Sequence, residues 1–146
     1  MPTTYTIRRA KRPKIGNPLF THHGTQILAI GGQKAAYRWF DKRGLMQEIP
    51  QPIIDFGCDQ KVCMKTQEQF ASGNQIEWAD QIDVQASEFE QRYQKVLQDV
   101  RPYSVALRDC ESTADTLIEG KPQHRQAWAW AVGIVAFVAI CAALRE

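Results

Sequence analysis

The stretch Ala127-Trp-Ala-Trp-Ala-Val-Gly-Ile-Val-Ala-Phe-Val-Ala-Ile-Cys-Ala-Ala-Leu144 runs for 18 residues without a charge, a strong hydrogen-bonding side chain or a proline. At about 1.5 Å rise per residue such a helix reaches roughly 27 Å, the thickness of a bilayer core. The stretch therefore predicts a single C-terminal transmembrane helix over 127–144. Trp128, Trp130 and Arg125 fall where interfacial anchors belong, with Arg145 and Glu146 on the far flank. A helix apolar on every face can also be buried in a soluble core, but this chain supplies little domain to surround it. Within the span, Ala129, Gly133, Ala136 and Ala143 share one helix face. Small side chains on such a stripe predict close packing against another membrane helix.

Outward from the span the chain is polar, with a mean hydropathy of −0.40 overall. That divides it into an anchor, a juxtamembrane linker over 121–126 and a water-facing part. The first residues lack the apolar centre of a secretory signal, and neither Asn17 nor Asn74 sits in a glycosylation acceptor. Insertion is expected to be directed by the C-terminal span.

The net charge of +2 conceals an asymmetry. Residues 1–43 hold nine Lys or Arg against Asp41 alone, +8, whereas residues 44–146 hold nine bases against fifteen acids, −6. Pro2, Pro13, Pro18, Gly16 and Gly24 break any helix in the first 24 residues, which predicts an extended basic arm. A retained targeting sequence, a nucleic-acid or anionic-lipid contact, and an arm docked on acidic neighbours compete for it. Docking through Arg8, Arg9, Lys11, Arg12 and Lys14 is the preferred role. Nucleic acid is not expected, because Tyr5 and Phe20 are too few and too far apart to stack bases.

Residues 25–120 predict a small, mainly helical body. Thr25 to Ile30 reads as a short strand, Gly31-Gly32 as a plain turn, and a helix is expected from Gln33 to Gly44. Pro50 and Pro52 mark an extended connector over 45–57, followed by a modest helix ending at Gly73. Ile82, Ala86, Phe89, Tyr93, Val96 and Val100 recur at helical spacing and form one face. Arg101-Pro102 interrupts it, and a second helix is expected from Ser104 to Glu119, with Cys110, Ala114, Leu117 and Ile118 inward and Gly120 as its stop. The fold class expected is mostly α.

Chemistry is harder to find. Cys58 and Cys63 have neither redox nor zinc-knuckle spacing, and the adjacent His22 and His23 rarely point at one metal, while a disulfide between Cys58 and Cys63, or from either to Cys110, depends on the compartment. Cys110 reads as a small residue on a helix's apolar side. No catalytic residue, metal or cofactor is expected. The positive-inside rule puts the N-terminal part in the cytoplasm, or in the matrix for a mitochondrial membrane, with free thiols at Cys58, Cys63 and Cys110. The function expected is a non-catalytic single-pass accessory subunit of a membrane complex, with a respiratory-chain or ATP-synthase assembly of the mitochondrial inner membrane as leading context. Its partners would be the other subunits and membrane lipid. A tail-anchored adaptor binding RNA, a ribosome or anionic lipid, and a virion membrane protein, are the alternatives.

Overall fold

The computed structural model describes residues 2–14, 17–58, 61–99, 110–121 and 140–144. Two long strands, β1 (Thr4–Lys14) and β2 (Asn17–Ile30), form an antiparallel hairpin. Then come β3 (Gln33–Lys34), β4 (Ala36–Phe40), β5 (Met46–Pro50), β6 (Ile53–Cys58) and β7 (Lys61–Lys65), the short helix α1 (Gln67–Ala71), β8 (Glu77–Gln85), α2 (Ala86–Gln98) and α3 (Cys110–Glu119). The main sheet runs β7-β6-β2-β1-β8 with β3 on the flank of β2, and β4 pairs with β5 as a separate ribbon.

Strand outweighs helix, about 48% to 31%, which overturns the mostly α reading. The physical reason lies in the first 24 residues. Prolines exclude a helix but not a strand, and residues 4–14 pair with β2 on one side and β8 on the other. The expected arm is thus the hairpin at the centre of the sheet. The helix expected from Gln33 is instead β3 and β4, and Ile82 belongs to β8, so of that apolar stripe Ala86, Phe89, Tyr93 and Val96 lie on α2 while Val100 is outside the described residues.

Among the described residues no helix is long and apolar enough to cross a membrane. This finding overturns the single-pass description and the integral inner-membrane placement built on it. An uncharged run meets the length criterion for a span, but it does not by itself determine the conformation or the surroundings of the chain. Residues 127–139, with Trp128, Trp130, Ala129, Gly133 and Ala136, lie outside the described residues, as does Arg125. Ala143 lies in the described 140–144 and is exposed.

The sheet buries both faces. On one, Ile7, Ile27, Ile54 and Val84 pack against Phe89 and Val96 of α2 and Leu117 and Ile118 of α3. On the other, Ala10 and Ile53 pack against Phe70 of α1, with Ile76 and Trp78 beside them. Fully burying such a side chain contributes about 1.5–3 kcal/mol. A capping box starts α1: Gln69 N–H donates to Thr66 Oγ1 at 3.1 Å, and Thr66 N–H donates to Gln69 Oε1 at 3.0 Å. Gly24 lies where Phe70 crosses β2. A Cβ there would stand 2.7 Å from Phe70 Cε2 and 2.8 Å from Ile53 Cγ2, so glycine is needed for close approach.

Candidate functional site

The topology places a polar cluster where β2 parts from β6. The two strands pair only over Gly24 to Gln26. Beyond Gly24 the edge of β2 is taken by the start of α3, whose Cys110 replaces a strand partner. The His23 N–H donates to Cys110 Sγ at 3.5 Å, and the thiol donates to the Thr21 carbonyl at 3.9 Å. Because strand residues alternate, His22 and His23 leave β2 on opposite faces, one on each side of that sulfur.

His22 Nε2 is 2.6 Å from Asp55 Oδ1, and the ring stacks on Phe70 with centroids 5.4 Å apart. Cys110 adds to the surroundings that act on the His22 ring. Burial disfavours the imidazolium, but the hydrogen bond and charge of Asp55, with a smaller contribution from Cys110, outweigh it and push the His22 pKa up to about 9. Burial likewise acts to raise Asp55, and His22 and Lys65 reverse it, leaving its carboxyl below the ordinary value. Lys65 Nζ stands 2.8 Å from Asp55 Oδ2. Cys110, His22 and Asp55 are all buried, with residue exposures of 4%, 7% and 1%.

On the helical side Arg9 is the hub. Its Nε donates to Asp80 at 2.8 Å, its Nη2 to Asp115 at 2.6 Å, and its Nη1 contacts His23 Nδ1 at 3.2 Å. Arginine can only donate, so His23 Nδ1 accepts. Nε2 then carries the proton and faces Glu111 Oε2 at 3.2 Å. Glu111 and Asp115, one helical turn apart, fasten α3 to β1 and β2 through this network.

The basic residues singled out in the sequence have partners within the chain. Arg8 lies 3.6 Å over the Trp78 ring and donates to Gln26 at 2.8 Å; burial lowers its pKa. Arg12 is buried against Phe70, donating to its carbonyl and to that of Pro13. Lys11 faces Glu77 at 3.4 Å, and the Lys14 side chain lies outside what is described. Arg8, Arg9, Lys11 and Arg12 are thus spread over both faces of the sheet.

Cys63 is disulfide-bonded, against the free thiol expected there, whereas Cys110 and Cys141 are free. Among the described residues no group of three or more His, Cys, Asp or Glu could hold a metal ion. A cavity of about 160 Å³ opens at the other end of β2, lined among others by Tyr5, Ile27, Ala35, Phe89 and Tyr93, apart from Cys110. Sequence reasoning missed Cys110, His22 and Asp55 as a set because no local spacing ties them together. The available signal was a His-His pair in a strand and a cysteine opening a helix, 87 residues from His23. Comparison with family models, with curated proteins and with solved structures finds no match.

Proposed function

We propose that the chain is a thiol-dependent acyl hydrolase or acyltransferase, with Cys110 as nucleophile, His22 as proton carrier and Asp55 as the residue that positions the imidazole. The observation that supports this reading is the His22 imidazole held 2.6 Å from Asp55 Oδ1 on the stretch of β2 whose next backbone N–H, that of His23, donates to Cys110 Sγ at 3.5 Å. Thiolate is the nucleophilic form of cysteine, and His22 takes the thiol proton as the new bond forms. Attack of Sγ on an ester, thioester or amide carbonyl forms the C–S bond. The leaving group departs with the proton from His22. Water or a second acceptor then gives its proton to His22 and attacks the thioester carbonyl; the C–S bond breaks and the sulfur is restored.

A specific observation favours a second reading. The whole set is buried, so it can serve purely to fasten α3 to the sheet in a non-catalytic protein. Incubating the protein with p-nitrophenyl acetate, followed by peptide mass analysis, separates the two. The catalytic reading expects an acetyl group on Cys110, lost in Cys110→Ala and in His22→Gln, and an alkaline limb of the pH–rate profile that moves down in Asp55→Asn. No adduct, together with a Cys110 that resists iodoacetamide in the native protein, refutes it in favour of the structural role.

A further inference from the structure

The ribbon of β4 and β5 ends in an apolar point. Phe40 is 73% exposed, Met46 59% and Leu45 52%, with Trp39 and Tyr37 exposed behind them and stacked at 5.4 Å. The register pairs Phe40 with Met46 on one face of the ribbon and Trp39 with Gln47 on the other. The turn is held rigidly. Asp41 Oδ1 accepts from Arg43 N–H at 2.8 Å and from Leu45 N–H at 3.0 Å, the Asp41 N–H donates to the Leu45 carbonyl, and Gly44 takes a φ of +77°. The hydrophobic tip is therefore a preorganised projection and not a loose loop.

We propose that this tip is an interfacial wedge that seats the protein on the surface of an anionic lipid bilayer. Two features select that occupant. The tip is convex and carries its apolar groups at the point of a two-stranded ribbon, a shape that enters a soft medium more readily than a flat protein surface. Its surroundings are basic: Arg38, Lys42 and Arg43 stand against Asp41 and Glu48. Arg38 is paired with Glu48 and Arg43 with Asp41, whereas Lys42, in the turn itself, has no carboxylate partner among the described residues. Exposed apolar tips rimmed by Lys and Arg, with Trp and Tyr at the level of the headgroups, match the chemistry of a negatively charged interface. This contact is peripheral and independent of the chemistry at Cys110.

The test uses the full chain with Trp39 as its one tryptophan, made by Trp78→Phe, Trp128→Phe and Trp130→Phe. Vesicles of phosphatidylcholine with brominated acyl chains are added, with and without phosphatidylserine. The wedge expects Trp39 emission to shift to the blue and to be quenched by vesicles containing phosphatidylserine. Added salt weakens the quenching, and Phe40→Ser, Leu45→Ser and Met46→Ser together abolish it without changing the circular dichroism. Because the signal is local to the ribbon, adsorption by another part of the chain does not imitate it. Three results overturn the proposal: Trp39 emission indifferent to anionic vesicles, equal quenching in the triple serine variant, or a blue shift that grows with protein concentration without lipid. The last would mark the tip as a contact between copies.

Discussion

Arg9→Met tests the network that holds α3 to the sheet. The guanidinium reaches three groups with three different nitrogens: Asp80 at 2.8 Å, Asp115 at 2.6 Å and His23 at 3.2 Å. Its side chain is 2% exposed and that of Asp115 is 0%, so this pair is fully desolvated, whereas Asp80 is 45% exposed. Breaking a buried pair by removing one partner costs about 3–5 kcal/mol, because a carboxylate stays buried without its cation. Loss of the exposed Asp80 contact adds at most about 1 kcal/mol. Against a total stability of about 5–15 kcal/mol, that leaves a marginal protein. Urea unfolding followed by circular dichroism should show a midpoint lower by about 2 M for a slope of about 2 kcal/mol/M. Arg9→Lys should rescue only part of the loss, since one ammonium cannot make the forked contacts. Arg9→Met with Asp115→Leu should recover part of it, because the buried carboxylate is removed together with its cation. A loss below about 1 kcal/mol for Arg9→Met, or a double variant no better than the single one, would refute the assignment of Arg9–Asp115 as the fastening pair.

Two further outcomes follow from the other side of the cluster. His22, with a folded pKa of about 9 against an ordinary 6.5, contributes stability that is fully present below pH 6.5 and is lost as the pH rises through 9; the loss should reach about 3 kcal/mol and flatten in Asp55→Asn, as read by urea midpoints across that window. Gly24→Ala should destabilise by about 1–3 kcal/mol, because the new methyl drives into Phe70 and Ile53; a melting temperature unchanged from the parent would mean that Phe70 yields freely, while Phe70→Leu in the same chain should restore part of the loss.

Local patterns in the sequence determined several elements correctly. Phe89, Tyr93 and Val96 lie on α2, and Cys110, Ala114, Leu117 and Ile118 are all buried on α3, which stops at Gly120 with a φ of +86°. Thr25 to Ile30 is strand, and Gly31-Gly32 is a turn with both φ angles positive. These features depend on periodicity, caps and glycine conformation, which neighbouring residues dictate. The strand identity of residues 4–14 depended on partners far along the chain: Arg9 lies opposite Thr25 on one side and Ala79 on the other, and only that pairing turns a proline-flanked basic segment into a central strand. The same holds for the site. His22, Asp55 and Cys110 come from three elements, and nothing local distinguishes a strand histidine that meets a carboxylate from one that meets water. The departure of β6 from β2 at Gly24, and the entry of α3 into the gap, put the sulfur against the His23 backbone N–H. Backbone pairing across long separations is a property of the folded sheet, so tertiary structure alone decided which groups the two histidines and the cysteine meet.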